Sequence, residues 1–196
     1  MGRSSWFGEG DDVSIVNTLS SGLYAAALLA RGRPEALRYV EVDLDGAARS
    51  FWAAALCLPA SICLRLIDWT IGPAPANPAH DFALDLLSYV IGWAGYAVLC
   101  RPFVAAMGRG KLWPRYIAAW NWCNVAQYML WVAASIPTLL GAPLWLAQTA
   151  QLVALGWALW LEWFTARVAL FIPMLPAAGL VLLDVLLGLA LARLGG

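Results

Sequence analysis

The chain has 196 residues, 62% of them hydrophobic and 12% charged, against roughly a quarter charged in a soluble globular domain. So little charge cannot clothe a water-facing surface, which excludes an ordinary soluble fold and makes lipid the solvent for most of the protein. Lys plus Arg number 12 and Asp plus Glu 12, so there is no basic footprint for a nucleic-acid partner.

Met1 to Val13 lack the basic n-region and compact apolar stretch of a secretory signal, with Asp11 and Asp12 on the wrong flank; no cleaved leader is expected. Trp6 stands where the N-myristoylation pattern needs Ser or Thr. From Val13 to Ala30, Val16, Leu19, Leu23, Ala27 and Ala30 recur at helical spacing opposite Ser14, Thr18 and Ser21, which predicts an N-terminal interfacial helix. Asn17, Thr18, Ser20, Ser21 and Gly22 argue against a sixth span there. Arg31 to Ser50 is mixed in charge and reads as a membrane-proximal helix or connector. Residues 1–50 thus form a cytoplasmic and interfacial segment, and residues 51–196 a transmembrane helical domain.

A helix crosses a bilayer with about 20 apolar residues at about 1.5 Å each, and five such runs follow. They cover about 51–72, 82–107, 115–140, 144–168 and 173–194, giving an all-α polytopic transmembrane bundle. The stretch Gly72-Pro73-Ala74-Pro75-Ala76-Asn77-Pro78 stops the first. Gly108-Arg109-Gly110-Lys111 ends the second, and Pro114 opens the third at a first-turn position. Gly141 and Pro143 close the third, and Phe171 to Pro176 separates the last two.

Arginine and lysine mark the cytoplasmic ends of spans. Arg3, Arg31, Arg33, Arg38 and Arg49 precede span one, Arg109, Lys111 and Arg115 lie between spans two and three, and Arg167 between four and five. The loops from Pro73 to Asp81 and around Gly141 carry none, and Arg193 is the one exception. This pattern places the N-terminus in the cytoplasm and the C-terminus outside, in a multi-pass protein of the bacterial inner membrane.

Ionisable and polar groups inside spans are costly, so each needs a reason. Arg65 lies about 10 Å from the outer end of span one, within snorkelling reach, and Asp68 and Asp85 are its candidate partners. Arg101 reaches lipid phosphate near the inner end of span two. Asp184 falls about 16 Å from the inner end of span five, near the midplane, with no basic residue close in sequence. In span three, Asn121, Asn124 and Gln127 recur every three residues and reach the same depth, so Gln127 and Asp184 are expected to face one another. Glu162 and Arg167, near the inner mouth, would gate this polar pathway or pair across the last turns of span four. The structural alternative is an interhelical hydrogen bond to a protonated Asp184, worth about 1 kcal/mol.

Trp52, Trp69, Trp113, Trp145 and Trp163 fall near span ends, where aromatic belts form. Trp120, Trp122, Trp131, Trp157 and Trp160 lie deeper and are expected to pack between helices. Ser88 with Gly92 and Gly188 with Ala192 are small-xxx-small pairs that let helices approach. Cys57, Cys63, Cys100 and Cys123 match neither a zinc motif nor a redox pair and read as packing residues. Gly108 to Leu112 lacks the phosphate-loop spacing, and His80 is the sole histidine. No metal, cofactor or catalytic constellation is expected, and no enzyme.

Five spans in about 200 residues, with a cytoplasmic N-terminal segment and an outward C-terminus, resemble the Yip family of small membrane proteins. The likeness is one of architecture: Asp43-Leu44-Asp45-Gly46 is followed by Ala47 where the family's Asp-Leu-x-Gly-Pro signature has Pro. The resemblance implies a membrane scaffold or assembly factor, with partners on Arg31 to Ser50. The residues themselves also allow a small oligomeric transporter or permease that uses the Asp184 carboxylate. The expected partners are the lipid bilayer and a second copy or another membrane protein.

Overall fold

In hydrocarbon a backbone N–H or C=O finds no water, so a spanning segment must satisfy its own hydrogen bonds, which a helix does. The computed structural model describes residues 9–72 and 75–193, with side chains from residue 16 onward. The leader reading of the first residues, Pro73 and Ala74 of the helix stop, and Leu194 lie outside the described residues. Among the described residues there is no strand. The helices are α1 (Glu9–Leu29), α2 (Leu44–Ser50), α3 (Trp52–Ile71), α4 (Pro78–Ala106), α5 (Trp113–Leu139), α6 (Leu144–Leu170) and α7 (Met174–Ala192), with 3-10 turns at Pro34–Arg38 and Gly110–Leu112.

Local chemistry sets the boundaries. Asp43 caps α2, its Oδ1 accepting from the Gly46 N–H at 2.7 Å. Asn77 caps α4, accepting from the His80 N–H at 3.3 Å, and Pro78 takes the first turn. Span two therefore begins four residues before its apolar run, and His80 belongs to a helix rather than to the loop. Gly108 (φ 71°) and Gly141 (φ 67°) adopt the left-handed conformation just beyond α4 and α5. Phe171 does the same after α6, at φ 53° and without glycine's freedom, a geometry that costs roughly 1–2 kcal/mol. The last turn is accordingly tight, and Pro176 lies inside the first turn of α7.

The helices Leu44–Ile71 (α2 and α3 taken together), α4, α6 and α7 are each long and apolar enough to cross a membrane. α5 has 27 residues, about 40 Å of rise, and is the more polar helix at the centre. It packs against α1, α2, α3, α4 and α6, while α7 bridges α4 and α6. The protein is a multi-pass helical membrane bundle. Its contacts are rich in small residues: Ala53, Ala97, Ala119, Ala154, Ala158, Ala166 and Ala177 are buried among larger ones such as Ile117, Leu161 and Leu180, whereas Val90, Val98, Leu152, Val153, Leu182 and Leu186 point outward. Lipid is as apolar as leucine, so large aliphatics gain little by turning inward and close approach favours alanine and glycine at the contacts.

α1 illustrates that rule. Thr18, Gly22, Ala25, Ala26 and Leu29 are its buried face, while Val16 and Leu23 are exposed. The side that meets the protein is thus the one carrying Thr18, opposite the stripe of larger apolar residues. A methyl group on Gly22 would overlap the Trp122 indole of α5. At one end Thr18 donates to Glu41, ahead of α2, and beyond the other Gly32 abuts Trp160 of α6, so α1 lies across α5. Its apolar part, Val16–Leu29, is too short to span about 30 Å of hydrocarbon.

Candidate polar site within the bundle

Steps of three residues along a helix turn its face back by about 60° each, so Asn121 and Gln127 stand about 120° apart around α5. The expected stripe therefore splits three ways. Asn121 is fully buried and donates through Nδ2 to the Ser50 Oγ at 2.7 Å, joining α5 to α2. Asn124 donates to the Trp120 carbonyl at 2.9 Å and lines a cavity between α4, α5 and α7. Gln127 donates through Nε2 to Glu162 Oε1 at 3.0 Å and lies 3.4 Å from the Cys123 Sγ.

Gln127 thus meets Glu162 of α6, not Asp184 directly as expected. Glu162 is buried about 12 Å from the end of α6, inside the bundle rather than at its mouth. Its carboxyl lies within hydrogen-bonding reach of the Asp184 carboxyl. Gln127, Glu162 and Asp184 form one chain across α5, α6 and α7. A hydrogen bond formed between these two carboxyl groups would require a proton on one of them. Arg167 takes no part: its guanidinium stacks 4.7 Å from the Trp163 ring, without an ion pair to Glu162.

Asp184 sits about 15 Å from the start of α7 and lines the cavity of about 280 Å³ that Asn124 also lines. The walls carry Tyr89, Trp93, Trp120 and Tyr128, together with Ser88, Gly92, Gly188 and Ala192. Of the small residues expected to let helices approach, Gly92 does so, since a methyl there would meet the Leu191 side chain of α7 at 3.6 Å, whereas one on Gly188 would meet no atom within 4 Å. Three neighbouring aromatic pairs build the wall: Tyr89 with Tyr128 at 6.2 Å, Trp93 with Trp120 at 5.6 Å and Tyr96 stacked on Trp120 at 4.5 Å. The Trp120 indole N–H lies near Asp184 yet is buried without a hydrogen-bond partner, as is the Thr165 hydroxyl. Behind the wall the Tyr96 and Tyr116 hydroxyls meet at 2.5 Å, and Tyr96 also donates to the Leu180 carbonyl at 3.3 Å.

Sequence reasoning passed over these tyrosines. Tyr116, Trp120, Asn124 and Tyr128 recur every four residues on α5, and Tyr89, Trp93 and Tyr96 follow four-then-three spacing on α4. Two facing aromatic rows at helical spacing were the available signal. Elsewhere, Arg65 pairs with Asp85 at 2.5 Å and stacks over Trp69, an anchoring arrangement that leaves Asp68 exposed. Arg101 stacks over Trp113. Trp120 and Trp122 are buried as expected, whereas Trp160 is 39% exposed beside Gly32 and lies at the bundle surface. The chain matches no protein-family model, no curated protein and no solved structure.

Proposed function

We propose that the protein is a small membrane transporter in which the Asp184–Glu162 carboxyl pair takes up and releases a proton beside the cavity of α4, α5 and α7. The observation that carries this is a mid-span carboxyl lining a cavity large enough for a small solute, with a second carboxyl close behind it on α6. A purely architectural hydrogen bond needs one acid and one amide, which Glu162 and Gln127 already supply. Asp184 adds a group whose charge is costly in hydrocarbon unless it is used. Trp120 Nε1, buried beside Asp184 without a hydrogen-bond partner, supports a site completed by water or solute.

Four aromatic rings beside one carboxyl favour a solute with a positively charged head, held by cation–π attraction and by the carboxylate. A cation entering beside Asp184 stabilises the ionised carboxylate, and the proton leaves to water. One monovalent cation replaces one proton, so the exchange is electroneutral in the site. The test is proton release from detergent-purified protein in weakly buffered solution with a pH indicator, on addition of tetramethylammonium chloride. Wild type should release protons saturably and Asp184→Asn should not, with sodium chloride giving no release from either. Equal traces from wild type and variant would reject the transport reading and leave the Yip-type scaffold in possession of the fold.

A further inference from the structure

The same bundle carries a second, chemically opposite groove. Arg115 opens α5, Arg167 lies three residues before the end of α6, and both line a cavity of about 420 Å³ with Pro34, Leu37, Phe164, Val168, Phe171 and Ile172. Each guanidinium lies against an aromatic face, Arg115 at 4.8 Å from the Phe171 ring and Arg167 at 4.7 Å from Trp163. Each has its Nε buried without a hydrogen-bond partner. Among the described side chains no carboxylate pairs with either: Glu41 pairs with Arg49, and Glu162 is engaged by Gln127.

Two like charges sharing one partly buried groove repel, and burying them unpaired is costly, so the site needs an anion. The remaining walls are hydrocarbon, which selects an anion attached to an apolar body. The groove lies at the first turn of α5 and the last turns of α6, at the end of a helix long enough to cross a membrane, where a lipid headgroup would be met. Arg109, whose guanidinium donates to the Phe171 carbonyl at 3.2 Å, adds charge at this end and holds the left-handed turn that forms one wall.

We infer that this groove binds the phosphate of an anionic phospholipid, with Arg115 and Arg167 on the phosphodiester and an acyl chain along Phe164 and Val168. Arginine suits the task because its planar fork offers two parallel donors to phosphate oxygens while its face stays stacked. The lipid ties the turn at Pro34–Arg38, which contributes Pro34 and Leu37, to α5 and α6. This site stands independently of the proton-exchange site, since it shares no residue with the Asp184 cavity.

The experiment reconstitutes the full chain in nanodiscs containing spin-labelled phosphatidylglycerol or spin-labelled phosphatidylcholine and measures the motionally restricted fraction of each. Wild type should restrict phosphatidylglycerol preferentially, and Arg115→Gln and Arg167→Gln should each reduce that preference about fivefold. Lys111→Gln, at the same end but outside the groove, should leave it unchanged. Raised ionic strength should weaken the preference in wild type, which keeps the inference testable even if a variant misfolds. Equal restriction of both lipids by wild type would overturn it. So would displacement of the spin-labelled phosphatidylglycerol by millimolar inorganic phosphate, which would assign the arginines to a soluble anion.

Discussion

Replacing Glu162 by Leu removes the acceptor that Gln127 Nε2 reaches at 3.0 Å and leaves the amide with only the Cys123 Sγ at 3.4 Å. A buried donor stripped of its partner costs about 1–3 kcal/mol, and the lower end applies in a bilayer, where measured interhelical bonds average about 0.6 and reach about 1.7 kcal/mol. Gln127→Leu should cost less, because Glu162 keeps its contact with Asp184. The double variant replaces both partners by apolar groups of similar size, which is close to neutral for such a pair. Stabilities from SDS titration in mixed micelles, followed by far-UV circular dichroism, should therefore be strongly non-additive, with a coupling of about 1 kcal/mol. Additivity within about 0.3 kcal/mol would refute a hydrogen bond between α5 and α6 at this place.

Gly22→Ala forces a methyl into the Trp122 ring and should loosen α1 from α5 by about 1–3 kcal/mol, seen as faster proteolysis within α1 while the other helices stay protected. Gly188→Leu projects into open space, so the fold should keep its SDS resistance while tetramethylammonium-driven proton release is lost. Tyr96→Phe removes the bonds to Tyr116 and to the Leu180 carbonyl and should lower stability by about 1–2 kcal/mol in the same SDS titration. Asp85→Asn breaks a partly exposed pair with Arg65 and should cost under about 1 kcal/mol, diminishing as salt is raised.

The helices were legible because hydrophobic length, proline and glycine are one-dimensional signals; four of the five expected spans fall on helices long and apolar enough to cross a membrane, and the run at 115–140 falls on the more polar α5. The runs at 51–72 and 144–168 coincide with α3 and α6 to within two residues. The capping by Asn77 moved the start of α4 outside its apolar run, and so escaped a count of hydrophobic residues. Facing relationships were less legible. Asn121 and Gln127 look equivalent in sequence, yet the three-residue step separates them around α5, and which neighbour each meets depends on where α2 and α6 dock. The orientation of α1 was hidden for a related reason: in lipid the larger apolar side is not the side that meets protein, and Gly22 rather than Leu23 marks the contact. Glu162 and Asp184 lie 22 positions apart in sequence, and only the tight turn at Phe171 makes α6 and α7 antiparallel so that they meet.

Proton exchange at Asp184 requires that water and solute reach it through the cavity. Substituted-cysteine accessibility tests it most directly, in a background without Cys57, Cys63, Cys100 and Cys123, using a small membrane-impermeant thiol reagent on intact membranes. Cysteines at Asn124, Asp184 and Gly188, which line the cavity, should be labelled, and one at the fully buried Asn121 should be protected. Protection at all four positions would rule out a wet path to Asp184 and leave a dry bundle held by polar contacts alone.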